Sequence, residues 1–538
     1  MNRMHCAAAT DRVPNGLAHD ARRGKRVMNL SRSSRVNPAV RRFLLPVFFL
    51  QCYLFSAALA QGYYKDIFLD GGVSIGYLTI PAIDSLHLSM EYLNTEDPVL
   101  QRRVLISNAN DENGVLLYPD GEPRFRLLYT FGGSSTYHGY SLGEEGLQRI
   151  REFYFNGGSY SGSCAGSAIF STGKDGQVMD VYYKIWPGFV HQFDNGHWLF
   201  LDHHIPQDSP LLRYRDFGDD FKIEKIRYGG GHYAIQDEHM PSNTEALLTY
   251  DCPEYELNHH ISCWAYKASR QSGRGVVIGS HPEWCENDEG RKLIEAIFLY
   301  ALDGTGDITL KGTLENGRAR QMNKNTREND PAFAKIGDKQ YHHFLVSLPV
   351  PAEKMTISVD GEDVYPFNLY VNHNTCAYAG HALLSATQNG SDKTIVIAPV
   401  QAGDWYIGIE CAATVEAAEA EFGYEYLDNL KVLNGLEYSI KAEWEIARSS
   451  PQEMVLYQNY PNPFNLQTGI TFGLPDRTQV LIRIFNLQGE LIDELVNDSR
   501  DSGYYQVLWN PSGHASGTYF IQMQAGGHVQ TRKCLLLN

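Results

Sequence analysis

Beyond residue 61 the 538-residue chain has no apolar run long enough to cross a bilayer as a helix, which takes about 20 residues. Positive charge is scarce too: 46 Lys and Arg face 63 Asp and Glu, a formal charge of −17. The first 42 residues hold ten of the cations and only two of the acids, so the remainder carries about −25. A chain this acidic lacks the basic footprint that nucleic acids and anionic membranes require, and both are excluded as partners. Cysteine is sparse. Setting aside Cys6 and Cys52, seven remain: Cys164, Cys252, Cys263, Cys285, Cys376, Cys411 and Cys534. Their spacings match no zinc site, so no metal or cofactor is expected. Outside the cytoplasm Cys252 with Cys263, and Cys376 with Cys411, are reasonable disulfides, although spacing does not fix connectivity.

What is present is ordinary globular material, 43% hydrophobic and 12% aromatic. At about 150 residues per domain the length suggests three or four units. Arg41 and Arg42 precede an apolar run, Phe43 to Ala57, that ends at Ala58-Leu59-Ala60, the small-x-small pattern of signal-peptidase cleavage. Residues 1–60 are therefore read as a basic leader and signal peptide, with Met28 able to serve as initiator. Bulky Gln51 before Cys52 argues against a lipid anchor. The mature protein is expected to be exported.

From 62 to 304 the pattern is α/β. Ile67 to Leu69 and Phe125 to Phe131 read as strands, the second ending in Gly132-Gly133, whereas Ile83 to Leu93 and Glu144 to Phe155 have helical periodicity. A short strand, Ser159 to Ser161, leads into Gly162-Ser163-Cys164-Ala165-Gly166 and a helix beginning at Ala165. Further on, Gly275 to Gly279 forms a strand that ends in Ser280-His281-Pro282-Glu283, before the helix Arg291 to Leu302. A glycine-flanked cysteine on a strand-to-helix turn is an exposed nucleophile. An imidazole and a carboxylate two residues apart supply a base and a group to orient it. All three residues fall at carboxyl ends of strands, where open parallel sheets keep their sites.

Residues 62–304, through these two motifs, resemble the class I glutamine amidotransferase-like superfamily. Within it, Arg227-Tyr228-Gly229-Gly230-Gly231-His232 is similar to a glycine-rich stretch of the biotin-protein ligase N-terminal-like branch. The resemblance implies a flavodoxin-like sheet and a catalytic triad of Cys164, His281 and Glu283. It also implies an oxyanion hole from the backbone of Gly133 and Ala165, and a substrate pocket touching Gly132, Gly230, Gly231 and His232. A lone cysteine is usually a small buried hydrophobe and a lone histidine usually structural. Two motifs in the right order at strand ends outweigh that default. Asp202-His203-His204 with His232 lacks a metal-ligand spacing and reads as exposed or pocket-lining histidines. Trp186, Trp264 and Tyr266 could line a pocket, with core packing the default.

Beyond Gly304, residues 305–332 read as a polar linker. From 333 to 446 short alternating runs separated by turn residues indicate a β-sandwich. This part resembles the bacterial pre-peptidase C-terminal domain through His343-Phe344, Asn368-Leu369-Tyr370-Val371 and Ala402-Gly403-Asp404-Trp405-Tyr406-Ile407-Gly408-Ile409. That family often carries an acidic residue where Asn368 stands, so no cation role is transferred. After a second linker, 447–455, residues 456–538 are similar to the type A sorting domain of the type IX secretion system. The likeness runs from Leu456-Tyr457-Gln458-Asn459-Tyr460-Pro461-Asn462-Pro463-Phe464-Asn465 through Ser516-Gly517-Thr518-Tyr519-Phe520 to Arg532-Lys533-Cys534-Leu535. The whole is thus read as multidomain, a flavodoxin-like α/β domain followed by two all-β sandwiches, with the type IX machinery as partner of residues 456–538.

Export bears on function. Ammonia released from glutamine outside a cell would be lost, and the chain has no nucleotide-binding or synthase segment to receive it. The expectation is a secreted cysteine hydrolase that cleaves an amide or peptide bond of a small molecule or peptide. The alternative is a non-catalytic surface or secreted binding protein that keeps the fold.

Overall fold

In the computed structural model the described residues are 62–70, 80–93, 114–285, 287–324, 331–361, 364–415, 417–420, 423–426, 430–446, 451–459, 462–464, 467–511 and 513–537. The expected leader and signal peptide at 1–60, and Tyr460, Pro461 and Asn465 of the terminal motif, lie outside them.

The apolar runs of the first region become a parallel sheet because they are buried on both faces. Its strands lie side by side in the order Met90–Leu93, Lys65–Asp70, Phe125–Thr130, Ser159–Ser163 and Gly275–Ile278, all parallel. Next to Gly275–Ile278 the sheet turns antiparallel through Ile261–Tyr266, His232–Ala234 and Trp186–Gln192. One core cluster, with Phe125, Leu128, Tyr160, Phe170 and Trp264, is distinct from a second with Ile67, Leu127, Tyr129, Ile278 and Ile297. The helix Ser135–Phe155 begins at Ser134, whose side chain accepts from the Tyr137 N–H, and kinks at Gly143 with φ 65°. The helix Asp288–Leu302 begins at Asn287, whose side chain accepts from the Gly290 N–H at 2.8 Å.

One local expectation differs from the structure. Ile83 to Leu93 is not one helix: Pro81–Ser85 makes a single turn, His87 takes φ 54°, and Met90–Leu93 joins the sheet edge beside Ile67–Asp70. Pairing with a buried neighbour strand has overridden a periodicity that fits a helix only locally. The helix after Cys164, Ala165–Phe170, is only six residues long.

The second region is a sandwich. One sheet holds Leu310–Thr313, Tyr341–Leu348, Gly403–Cys411, Phe367–His373 and Leu384–Ala386; the other holds Ala319–Met322, Tyr438–Ile446, Ala352–Gly361 and Lys393–Ile397. Alternate residues of the two sheets, among them Phe344, Val346, Ile357, Phe367, Ile407 and Ile440, form its core. Segment 305–332 is therefore not a linker throughout, because it supplies a strand to each sheet. Its polar appearance has a cause. Lys311 is buried and its Nζ lies 2.6 Å from Asp120 Oδ2 and 2.8 Å from Glu122 Oε1, both in the α/β region. Nearby, Arg124 Nη2 reaches Asp338 Oδ1 at 2.9 Å and Oδ2 at 3.0 Å, and His342 Nε2 lies 3.2 Å from Asp120 Oδ2. Charges from both regions are thus paired across their junction.

The third region builds two small sheets. Val455–Leu456, Thr468–Leu474 and Gly503–Trp509 form one; Leu491–Arg500, Thr478–Phe485, Gly517–Ala525 and His528–Leu536 form the other. Val455 belongs to it and not to the linker expected at 447–455. Ile470, Phe472, Ile482, Ile484, Trp509 and Ile521 are buried between them.

Candidate functional site

Sheet register decides which residues meet. Ser163 pairs with Ile278 and Gly162 with Thr130, so three neighbouring parallel strands end at one level. The residues that follow them, Gly132-Gly133, Cys164 and His281, emerge together at the carboxyl edge. The Cys164 N–H donates to the Ile278 carbonyl at 2.9 Å and fastens the turn to the neighbouring strand.

Cys164 carries the backbone strain itself, with φ 48° and ψ −108°. The glycines around it serve close approach. A Cβ on Gly162 would stand 2.7 Å from the Gly166 carbonyl carbon, and one on Gly166 would stand 2.2 Å from the Thr130 oxygen. Gly132 answers to the site: a Cβ there would stand 2.3 Å from His281 Cε1 and 3.3 Å from Cys164 Cβ. With only six residues the helix after Cys164 contributes little macrodipole, so the thiol depends chiefly on side chains.

His281 supplies the first of these. Its Nδ1 lies 3.0 Å from Glu283 Oε1, and its ring also interacts with Cys164. Burial alone would lower the imidazole pKa, but the Glu283 carboxylate and the Cys164 sulfur overcome it and raise the pKa from 6.5 to about 10. Glu283 Oε1 also accepts from the Ser163 hydroxyl at 2.5 Å. Glu283 Oε2 and the Tyr129 hydroxyl lack partners of hydrogen-bonding geometry, although they lie close enough to interact electrostatically. Among the described residues neither the Gly133 nor the Ala165 N–H donates to a protein group. These are the amides expected to hold an oxyanion.

The glycine-rich segment arrives from the strand Lys222–Tyr228. The Arg227 carbonyl accepts from the His281 N–H at 2.7 Å, and the Gly229 carbonyl lies 3.9 Å from Cys164 Sγ. Gly231 is packed against Gly279, where a Cβ would stand 1.9 Å from the Gly279 oxygen, and Gly230 turns beside Asp194 with φ 67°. His232 is buried, both ring nitrogens lack hydrogen-bonding partners, and burial holds its pKa down at about 3. These residues shape the floor of the site. A cleft of about 490 Å³ is bordered by Phe200, Lys225, Arg227, Trp284, Cys285 and Asn287, among them Trp284 and Arg227, which contact His281 through its ring and its backbone N–H.

Aromatic residues absent from the sequence expectation pack against His281. Trp284 stacks on His281 with ring centroids 4.5 Å apart and an interplanar angle of 6°, and Trp198 lies 5.7 Å from the same ring. Trp198 also occupies the space a Gly229 side chain would fill, 2.4 Å from its ideal Cβ. Cys164 is 4% exposed and His281 2%, so both side chains are nearly closed over. Trp284 was reachable from its place next to Glu283, whereas nothing in the sequence marks Trp198 as a neighbour.

Other expectations are placed elsewhere. Trp186 and Trp264 pack against each other inside the core, 5.2 Å apart, and Tyr266 packs at its edge. His203 is a buried bridge, its Nδ1 2.7 Å from Ser262 Oγ and its Nε2 3.1 Å from Ser280 Oγ, while Asp202 pairs with Lys222. Among the described residues no cluster of His, Cys, Asp or Glu is arranged to hold a metal ion. All seven described cysteines are free thiols, so neither the Cys252–Cys263 nor the Cys376–Cys411 bridge is formed. Asn368 donates to Glu410 at 2.8 Å, an internal contact of the sandwich.

Residues 458–537 match the model of the secretion system C-terminal sorting domain. The chain accordingly carries a type IX export signal that engages the secretion machinery, and is secreted or displayed at the cell surface. No helix among the described residues is long and apolar enough to cross a membrane. No curated protein matches the chain. Among solved structures, a glutamine amidotransferase is 13% identical over 44% of this chain and 98% of its own, with a TM-score of 0.28. The pre-peptidase C-terminal domain of a collagenase from Bacillus anthracis is 12% identical over 26% of this chain and 100% of its own, with a TM-score of 0.15. A β-galacturonidase from Eisenbergiella tayi is 10% identical over 36% of this chain and 34% of its own, with a TM-score of 0.11.

Proposed function

We propose that residues 62–304 form a flavodoxin-like, amidotransferase-like domain acting outside the cell as a cysteine hydrolase on amide or peptide bonds. The observation that carries this reading is the hydrogen bond between His281 Nδ1 and Glu283 Oε1 at 3.0 Å beside a cysteine on a strained turn. With Nδ1 committed to Glu283, the other ring nitrogen holds the proton given up by the thiol, and the raised pKa keeps it there until the leaving amine takes it. The Cys164 sulfur then attacks the carbonyl carbon, and the oxygen takes negative charge against the Gly133 and Ala165 amides. Collapse expels the amine, protonated by His281, and leaves a thioester. Water, deprotonated by His281, releases the acid and restores the thiol. Glu283 holds the ring and offsets its charge in each protonated state, itself held by Ser163. A sandwich of the pre-peptidase C-terminal type at the centre of the chain accords with a secreted hydrolase.

The near-complete burial of Cys164 favours a second reading, a binding protein that has kept the fold. Alkylation separates the two. The exported protein is treated with iodoacetamide at mildly acidic pH and its modified cysteines are mapped. Fast labelling of Cys164 that is lost in His281→Ala supports the hydrolase; labelling no faster than a free thiol in solution overturns it.

A further inference from the structure

Arg227 and Lys225 stand on the wall of the 490 Å³ cleft next to His281, and among the described residues no carboxylate lines it. In a chain with 63 acidic residues that is an unusual surface. Of the described acids nearby, Asp202 pairs with Lys222, Asp288 with Arg291 and Lys292, and Glu289 accepts from the Glu224 N–H. Among the described residues neither the Arg227 guanidinium nor the Lys225 ammonium is recorded in an ion pair.

The guanidinium instead lies against two rings, 4.4 Å from the Trp198 centroid and 5.2 Å from that of Trp284, which are themselves 5.5 Å apart. Contact with two aromatic rings restrains the guanidinium without using its N–H donors, which suits it to a planar, two-oxygen anion. Phe200, opposite Arg227 in the strand register, is 67% exposed and extends the apolar wall. The same two indoles lie against His281, and the Arg227 carbonyl holds the His281 backbone N–H, so the cation is built into the frame of the catalytic base.

We propose that this cleft is the specificity site for a carboxylate on the substrate, bound by Arg227 and Lys225 while its apolar portion lies on Phe200, Trp198 and Trp284. The assignment rests on the hydrolase reading for its role in turnover, but the binding step stands without it. The carboxylate could be an acidic side chain or the free carboxyl end of a peptide, which share this chemistry.

The experiment uses the exported protein carrying Cys164→Ala, so that nothing is turned over. Tryptophan fluorescence is titrated with acetyl-glutamate amide, acetyl-glutamine amide and acetyl-glutamine with a free carboxyl group. The carboxylate compounds are expected to bind at least tenfold more tightly than acetyl-glutamine amide, the better of the two identifying the source of the carboxylate. The preference should weaken with salt and fall about tenfold in Arg227→Met and less in Lys225→Met. No preference in the parent protein, or a preference untouched by both substitutions, overturns the proposal. Slow alkylation of Cys164 with the preference intact would overturn hydrolysis alone. Should Arg227→Met fail to fold, Arg227→Lys and Lys225→Met carry the test: with stacking and fork geometry lost, Arg227→Lys keeps the charge but loses most of the preference.

Discussion

Around Cys164 and around Asp120 the chain buries ionisable groups to a similar depth, but the two clusters are completed differently. At the junction of the α/β region and the sandwich, Arg124 faces Asp338, and Lys311 faces Asp120 and Glu122, every pair combining both regions. Burial raises the Glu122 pKa, as does the charge of Asp120; the Asp120 carboxyl is held low against its own burial by Lys311. At the site, one carboxylate faces one imidazole, and among the described residues Glu283 Oε2, both nitrogens of His232 and two backbone amides have no partner of good hydrogen-bonding geometry. Buried polar groups ordinarily find partners inside the protein. Where they do so across a junction they hold two domains in one arrangement.

The largest way to break the comparison is chemical. Cys164→Ala should lower kcat/KM on a cleaved amide by at least about a thousandfold, with the urea midpoint nearly unmoved; a variant that stays active shows that the cysteine is not the nucleophile. Arg124→Met should do the reverse, lowering stability by about 3–5 kcal/mol through the stranded Asp338. Urea unfolding measures that, and alkylation of Cys164 below the transition should keep its parental rate. Between these lies Gly132→Ala, whose new methyl would push on His281 and should cost on the order of a hundredfold in kcat/KM at small cost in stability. An equal loss of both would mean that Gly132 serves folding.

The smallest effect sharpens the contrast through pH. His281 is raised to about 10 in the folded protein from 6.5, so its stabilising contribution is complete below pH 6.5 and is lost as pH rises through about 10. His342 at the junction is lowered to about 4, chiefly by burial and then by Lys311. The unfolded chain therefore takes up that proton first, and stability is lost as pH falls from 6.5 through about 4. Denaturation midpoints across pH should show the alkaline slope reduced in His281→Ala and the acid slope reduced in His342→Gln. Identical slopes in both variants and the parent would remove the distinction.

Part of this was legible in the sequence because it is local. The strand-turn-helix around Cys164 is written in five residues, and Glu283 sits two places from the His281 it holds. The sorting domain was legible as a continuous motif, and its match secures export. The α/β region followed by β-rich regions could also be read from the change in period. Met90–Leu93 was misread because its neighbour strand, not its own pattern, made it a strand. Segment 305–332 was misread because Lys311 looks like a solvated residue until Asp120, 191 positions away, is placed beside it. The two expected disulfides failed since spacing does not bring sulfurs together.

By itself the sequence determined that the chain is exported, that a cysteine is presented between glycines, and that a histidine and glutamate lie together at a strand end. These follow from contacts within a few residues. Only the tertiary structure decided that Ser163 holds Glu283, that Trp198 and Trp284 cover the imidazole, and that Arg227 is left unpaired beside them. The reason is the register of neighbouring strands, which chooses partners by how whole sheets pack rather than by the residues that flank them.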